Sequence, residues 1–519
     1  MIAVAKRSMT ALAGALFLLC AAVPSWAIPP DVWVVNDQSK DVEVIRMLAP
    51  PMSTTVSLGG PGDPAPYGVA FSTLPAFPGT HAFISQGTGI KVFDADMPGM
   101  PPVVFDLFSS LSIPVDAMEL RGIETSLPDP FVGPPAPVGL LHVTAQVRRD
   151  PGGFGEPWFI VLDQRALLGL IPPAQLVVDD GPLLPSSTAG YEAMEVHVMG
   201  VAFEVVQPAG PRIVRGQRAW YTYARPGTAP ELVAARVVGG EALSDPWTVD
   251  QRFVETYPSG TVLPNSVRVG APHERDLPLL PSRDSAGTPG GHLTDLDTGT
   301  TCPVGDIPRA LVVTGPGFGS YDIWVLERDL AGGANDWLRR VAWDDCSAEP
   351  RIAVGLNPID IDSRSRVDWQ ELYIANRASD SVTVVQDGNP PTATTLPLPG
   401  GGGGGVCVRC PRSIAVRERP ETICRAVNHQ MSLINGGADL RHTWDGLGCG
   451  NTVGYTIWCR CLESNFNDCS PDCVANCPPQ EADVLPWCEI DSVDNDNEYT
   501  TSEGGSTGKE ERKIAPNDK

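Results

Sequence analysis

The sequence predicts an all-β fold: a β-propeller of seven blades, with six as the alternative, followed by a small disulfide-rich module. Three observations carry this reading. Glycine and proline number 53 and 52 in 519 residues, too many for long helices, whose interiors tolerate neither. A β-hairpin pattern recurs near the two ends of the main body. Between those copies, short proline-led segments return at intervals close to the length of a propeller blade.

The chain opens on Lys6 and Arg7, then an apolar run from Ala11 to Val23, then Ser25-Trp26-Ala27 with small residues at −3 and −1. This is the layout of a secretory signal peptide. Residues 1–27 are therefore expected to be removed, leaving Ile28 as the mature N-terminus and a secreted, periplasmic or cell-surface location. Leu19 stands before Cys20, where a lipid-anchored leader has a small residue. No later stretch approaches the roughly 20 apolar residues of a spanning helix, so no membrane span is expected.

The main body, 28–419, begins with the first hairpin. Val32-Trp33-Val34-Val35-Asn36 and Asp41-Val42-Glu43-Val44-Ile45 are β-rich runs around a polar turn, the signature of two paired strands. They align without a gap on Leu372-Tyr373-Ile374-Ala375-Asn376 and Ser381-Val382-Thr383-Val384-Val385, and Ala82 to Asp94 forms a shorter copy. A second element precedes the hairpins: Pro66-Tyr67-Gly68-Val69-Ala70-Phe71-Ser72 before one and Pro358-Ile359-Asp360-Ile361-Asp362-Ser363 before another.

Together these segments resemble the YVTN-type β-propeller repeats of secreted prokaryotic proteins, well over 31–110 and 350–400 and weakly elsewhere. The resemblance implies that the proline-led segment is the innermost strand of a blade and that the hairpin supplies the next two. Blade-opening segments at 66, 114, 191, 308, 358 and 411 lie 48, 77, 117, 50 and 53 residues apart. The widest interval has room for two blades of about 40–50 residues. The hairpin at 32–45 lacks an inner strand, whereas Pro411 to Val416 has no hairpin after it. Pairing the two would close the ring and remove open sheet edges.

Twelve cysteines remain after the leader, and in an exported chain they read as disulfides. Cys302 and Cys346 stand in the body and are expected to pair. Cys407 and Cys410 have redox or zinc spacing, but a strand follows them and a disulfide is the expectation. Cys424, Cys449, Cys459, Cys461, Cys469, Cys473, Cys477 and Cys488 define a cysteine-rich module over 420–488. Such a module is too small to bury a self-sufficient core. Residues 489–519 are polar and charged, the composition of a disordered acidic tail.

The net charge of −25 speaks against a nucleic-acid partner, which needs basic stripes. Gly315 to Ser320 imitates a phosphate loop but precedes a strand rather than a helix, so a hairpin turn is expected. Glu195, His197 and Met199 alternate onto one strand face. The aligned blade-opening segments carry Asp116, Glu192 and Asp360, whose convergence at the channel mouth would form an oxygen-rich metal site suited to Ca²⁺. No nucleophile or zinc-protease signature occurs. The expected function is therefore non-catalytic: an exported propeller presenting a face to a protein or small-molecule ligand. The alternative is a metal-dependent hydrolase or lactonase-like enzyme at the channel mouth.

Overall fold

The computed structural model describes residues 31–417 except 48–49, 75–78, 127–138, 154, 184–189, 208–209, 240–246, 260, 262–266, 271–277, 284–289, 306, 315–321, 330–335, 344, 366–369, 388–389 and 402–406, together with strands between 427 and 517. The chain divides into two compact units, one of residues 30–316 and 320–419, the other of 1–29, 317–319 and 420–519.

The first unit is a seven-bladed β-propeller. Blade 1 joins the chain ends, in the order Pro411–Arg417, Asp31–Asn36, Asp41–Arg46, Met52–Ser57. Blades 2, 3 and 4 open on Pro66–Phe71, Ala117–Thr125 and Glu192–Gln207. Blade 5 holds Leu279–Arg283, Gly291–Asp295 and Thr301–Val304, and among the described residues its inner element is joined to them by one bridge, between Gly270 and Leu279. Blades 6 and 7 open on Ile307–Thr314 and Pro358–Ser365. The 117-residue interval does contain two blades, the fourth and fifth.

The ring is held by one repeated packing device. A large apolar side chain sits at the same register of the second strand in six blades: Trp33, Phe83, Trp220, Leu279, Trp324 and Tyr373, all fully buried. Blade 3 has His142 there, buried and hydrogen-bonded through Nδ1 to the Tyr221 hydroxyl at 3.0 Å. Seven apolar clusters result, each shared by two successive blades, and the last joins Tyr373 and Val382 of blade 7 to Val32 and Ile414 of blade 1. Burying a second-strand aromatic this completely stabilises by about 2–3 kcal/mol.

The closing pair runs antiparallel from Asp31 opposite Arg417 to Asn36 opposite Pro411, with a bulge between Val35 and Asn36. A bulge recurs near the start of the inner strand in blades 2, 3, 4, 6 and 7. It bends that strand and increases its twist as it enters the sheet. A disulfide joins Cys302 in the outermost strand of blade 5, Thr301–Val304, to Cys346 after the third strand of blade 6, with Cα atoms 5.3 Å apart. A second joins Cys407 to Cys410.

The second unit contains two three-stranded antiparallel sheets. One is Val427–Ile434, Asp439–Asp445 and Glu498–Ser502, and the other is Cys488–Val493, Gly454–Cys461 and Glu510–Asn517. Cys459 and Cys488 are register partners. Three of these strands thus involve residues beyond 488, the stretch whose composition reads as a tail. Cys424, Cys449, Cys469, Cys473 and Cys477 lie outside the described residues, as does the loop at 315–320. Among the described residues no helix is long and apolar enough to cross a membrane.

Candidate functional site

The bulges define a common numbering for the inner strands. In blades 1, 2, 6 and 7 the residue before the bulge is Pro411, Pro66, Pro308 and Pro358, and in blades 3 and 4 it is Leu120 and Ala193. Two positions on, the row around the ring is Ser413, Gly68, Gly122, Glu195, Arg268, Ala310 and Asp360. Two further on it is Ala415, Ala70, Glu124, His197, Gly270, Val312 and Asp362. Blade 5 enters this frame through an interblade hydrogen bond. Ser85 and Thr144 donate to the carbonyls of Arg121 and Met194 at 2.7 and 3.0 Å, and Thr222 donates to that of Val267 at 2.6 Å. Arg268 follows Val267.

This register corrects the alignment made on sequence. Gly122 and Glu195, rather than Asp116 and Glu192, are the counterparts of Asp360. Asp116 precedes the inner strand and pairs with Arg148, while Glu192 is exposed. The three residues expected to share a Ca²⁺ thus occupy inequivalent positions. Among the described residues no group of three or more His, Cys, Asp or Glu is arranged to hold a metal ion.

Gly68 and Gly122 show how closely the inner strands approach. A Cβ on Gly122 would lie 2.5 Å from Glu195 Oε2 and 2.8 Å from its Cα, and one on Gly68 would lie 2.7 Å from Ile123 Cγ2. Only glycine lets the strands of blades 2, 3 and 4 come this near.

Across the ring the charged members of the two rows meet. Arg268 of blade 5 reaches Glu124 of blade 3 at 3.1 Å and Asp360 of blade 7 at 3.3 Å, each two blades away. His197 Nδ1 lies 3.2 Å from the other Glu124 oxygen. Asp360 also accepts from the Ser413 hydroxyl at 3.0 Å and the Ile414 amide at 2.9 Å, and Asp362 accepts from the Val416 amide at 2.7 Å. These two carboxylates thereby satisfy inner-strand donors of blade 1, which no further strand covers.

The protonation equilibria follow the packing. Burial would raise the Glu124 carboxyl, but Arg268 and His197 overrule it and hold it at about 2. Burial dominates at Asp362, raising it to about 6 against the pull of the Val416 amide and Arg268, and it raises Asp360 as well. Burial would lower Arg268, but Glu124, Asp360 and Asp362 raise it, keeping it cationic.

At the end of the ring where the inner strands begin, a second arrangement emerges. The bulge residues of blades 1, 2, 3 and 6 are Arg412, Tyr67, Arg121 and Arg309. The Arg412 guanidinium lies 3.6 Å from the Tyr67 ring centroid and that of Arg121 lies 5.3 Å from it. Arg121 is also paired with Glu119 at 2.7 Å. Asp37, in the turn of blade 1, is ion-paired with Arg377 of blade 7 at 2.6 Å and lies 3.7 Å from Arg412. Arg377 in turn acts electrostatically on Arg309, as does Arg328. A guanidinium–aromatic arc therefore runs around the mouth from blade 3 through blades 2, 1 and 7 to blade 6. Sequence reasoning missed it because its members come from five blades, although Arg412 and Tyr67 do occupy the same place in their proline-led segments.

No described protein family matches the sequence, and no curated protein matches it either. Among solved structures, the chain is similar to the dihydro-heme d1 dehydrogenase NirN in complex with DHE, at 11% identity and a TM-score of 0.37, over 93% of this chain and 77% of that one. It is similar also to a putative 6-phosphogluconolactonase from Bacteroides fragilis, at 10% identity and a TM-score of 0.39, over 76% and 99%. Likeness this distant carries no argument about the site.

Proposed function

We propose that the chain is an exported, non-catalytic propeller of the YVTN-repeat type that its hairpins resemble, and that the arc at the channel mouth is its ligand- or partner-binding face. The observation that carries this is the stacking of Arg412 on Tyr67, flanked by Arg121 and tied through Asp37 to Arg377. Tyr67 is itself buried, 4% exposed, and forms the platform that holds the Arg412 and Arg121 guanidiniums in place; arginine is among the residues that dominate binding hot spots. On a chain of net charge −25, a run of guanidiniums is a local reversal of sign that orients an approaching anionic partner. The channel carboxylates, by contrast, are engaged by Arg268, His197 and blade 1 amides, which gives them a role in holding the ring.

A thermal-shift panel of soluble anionic metabolites, peptides and glycans on the mature protein tests the reading. Binders are expected to raise the Tm of the wild type and to lose that effect in Tyr67→Ala with Arg412→Ala. Turnover of a lactone or ester that disappears on changing channel residues would overturn it. Export is checked separately by N-terminal sequencing of secreted material, expected to begin at Ile28.

A further inference from the structure

Arg309 is the member of the arc that stands out. It belongs to the inner strand of blade 6, is only 7% exposed, and its Nε has no hydrogen-bond partner. Among the described residues it forms no ion pair. A buried guanidinium is costly unless paired, and it does not escape by losing its proton. Burial and Arg328, with a smaller push from Arg377, lower its pKa against the pull of Asp336, but only to about 10, leaving it charged at neutral pH.

The carboxylates of this corner have other hydrogen-bond or ion-pair partners, and Asp336, whose charge is felt at Arg309, forms no ion pair with it. Asp336 accepts the Asp329 amide at 2.7 Å and the Asn357 amide at 2.5 Å, one on each oxygen. Glu327 is held by Arg339 and Arg351, each at 3.1 Å, and by the Gly305 amide at 2.7 Å. Asp37 takes Arg377. The backbone places the three guanidiniums at one end of two adjacent blades. Ile307 pairs with Arg328, two residues before Arg309, and Pro358 pairs with Asn376, next to Arg377.

We propose that Arg309, flanked by Arg328 and Arg377, is a binding site for an oxyanion, a carboxylate or phosphate group of the ligand that docks at the mouth. The planar fork of a guanidinium matches two oxygens of either group. An anion supplies the partner that Arg309 lacks and offsets the mutual repulsion of the three cations. The inference rests on the reading of the mouth as a binding face and narrows it to a ligand chemistry.

The test uses the mature full chain and two probes, inorganic phosphate and succinate, each against chloride at equal ionic strength. At least one probe is expected to raise the Tm and to titrate calorimetrically at one per chain. A preference for phosphate assigns a phosphoryl ligand, and one for succinate a carboxylate. Arg309→Gln is expected to weaken binding at least tenfold without lowering the anion-free Tm, since it removes an unpaired buried charge. Arg328→Gln, an exposed change, is expected to weaken it several-fold and decides the matter if Arg309→Gln does not fold. The proposal is overturned if neither anion differs from chloride, or if binding is unchanged in the foldable variants. Panel ligands that still depend on Tyr67 and Arg412 after such a result leave the binding-face reading standing and remove the oxyanion site alone.

Discussion

Arg417 and Asp31 are 386 residues apart in sequence and 3.2 Å apart in the folded ring. Arg417, 2% exposed, also donates to the Gly79 carbonyl at 2.6 Å, the Ala95 carbonyl at 2.9 Å and Asp96 at 2.8 Å. One guanidinium thus ties the closing strand to its own blade and to blade 2. Arg417→Met leaves the buried Asp31 and two carbonyls short of donors and is expected to cost about 3–5 kcal/mol. Asp96→Asn, at an exposed partner, is expected to cost under about 1 kcal/mol. Urea denaturation of the two variants checks the contrast, and equal losses would refute it.

The Arg268 bridge is the second lock. It neutralises carboxylates from blades 3 and 7, so Arg268→Met alone strips the buried Glu124 and Asp360 of their shared cation and is expected to cost about 3–5 kcal/mol. Adding Glu124→Gln and Asp360→Asn removes those charges and is expected to restore most of the loss, because the contributions of one network are strongly non-additive. A triple variant as unstable as the single one would show that the bridge has no such role.

The same network sets a pH profile with two limbs. The Asp362 carboxyl is raised to about 6, so between about pH 4 and 6 the native chain holds a proton that the unfolded chain has released. Stability therefore falls as pH rises through that window. Glu124, held at about 2, acts oppositely. On acidification the unfolded chain takes up this proton first, and stability falls as pH drops from about 4.5 towards 2. Each limb is on the order of 3 kcal/mol. Asp362→Asn keeps the acceptor for the Val416 amide, and it is expected to flatten the upper limb and stabilise the protein at pH 7–8. Glu124→Gln is expected to flatten the lower limb. Urea midpoints measured from pH 3 to 8 that run parallel to wild type would contradict both assignments.

The fold was legible where periodicity and punctuation agree. The hairpins at 32–45 and 372–385 show period-2 alternation around a polar turn, and both became second and third strands of their blades. The proline-led segments at 66, 308, 358 and 411 became inner strands, with the proline before the bulge, where a missing N–H is tolerated. Blades 3 and 4 broke the pattern, since Leu120 and Ala193 stand where proline was expected. Opening those blades at Pro114 and at about Tyr191 drew the carboxylate alignment to Asp116 and Glu192. Arg268 was illegible for another reason. Its partners lie 144 and 92 residues away in sequence, and in the sequence around it only the short Val267-Arg268-Val269 alternation is a local sign. Arg309 was visible as a letter in a blade-opening segment, but its missing partner is a property of the assembled corner.

Blade 5 is also where the Cys302–Cys346 disulfide acts. Cys302 is buried with Leu279 and Leu293 of blade 5 and Leu311, Ile323 and Val325 of blade 6, so the crosslink staples blade 5 to blade 6. Closing a loop with a sequence separation of 44 removes denatured-state entropy worth about 4 kcal/mol in the chain-entropy account, with measured values commonly about 2–4. Cys302→Ala with Cys346→Ala also deletes a buried sulfur contact, which adds to the loss. The reduced or substituted protein is expected to open first at blade 5, because among the described residues its inner strand is paired by the Gly270–Leu279 bridge alone, and local opening begins where such bonds are sparse. Hydrogen exchange should then accelerate over 279–304 while the ladders of blades 1 and 7, joined across the ring closure, keep their protection. Uniform acceleration over all seven blades would mean that the disulfide stabilises the ring as a single cooperative unit and not through its fifth blade.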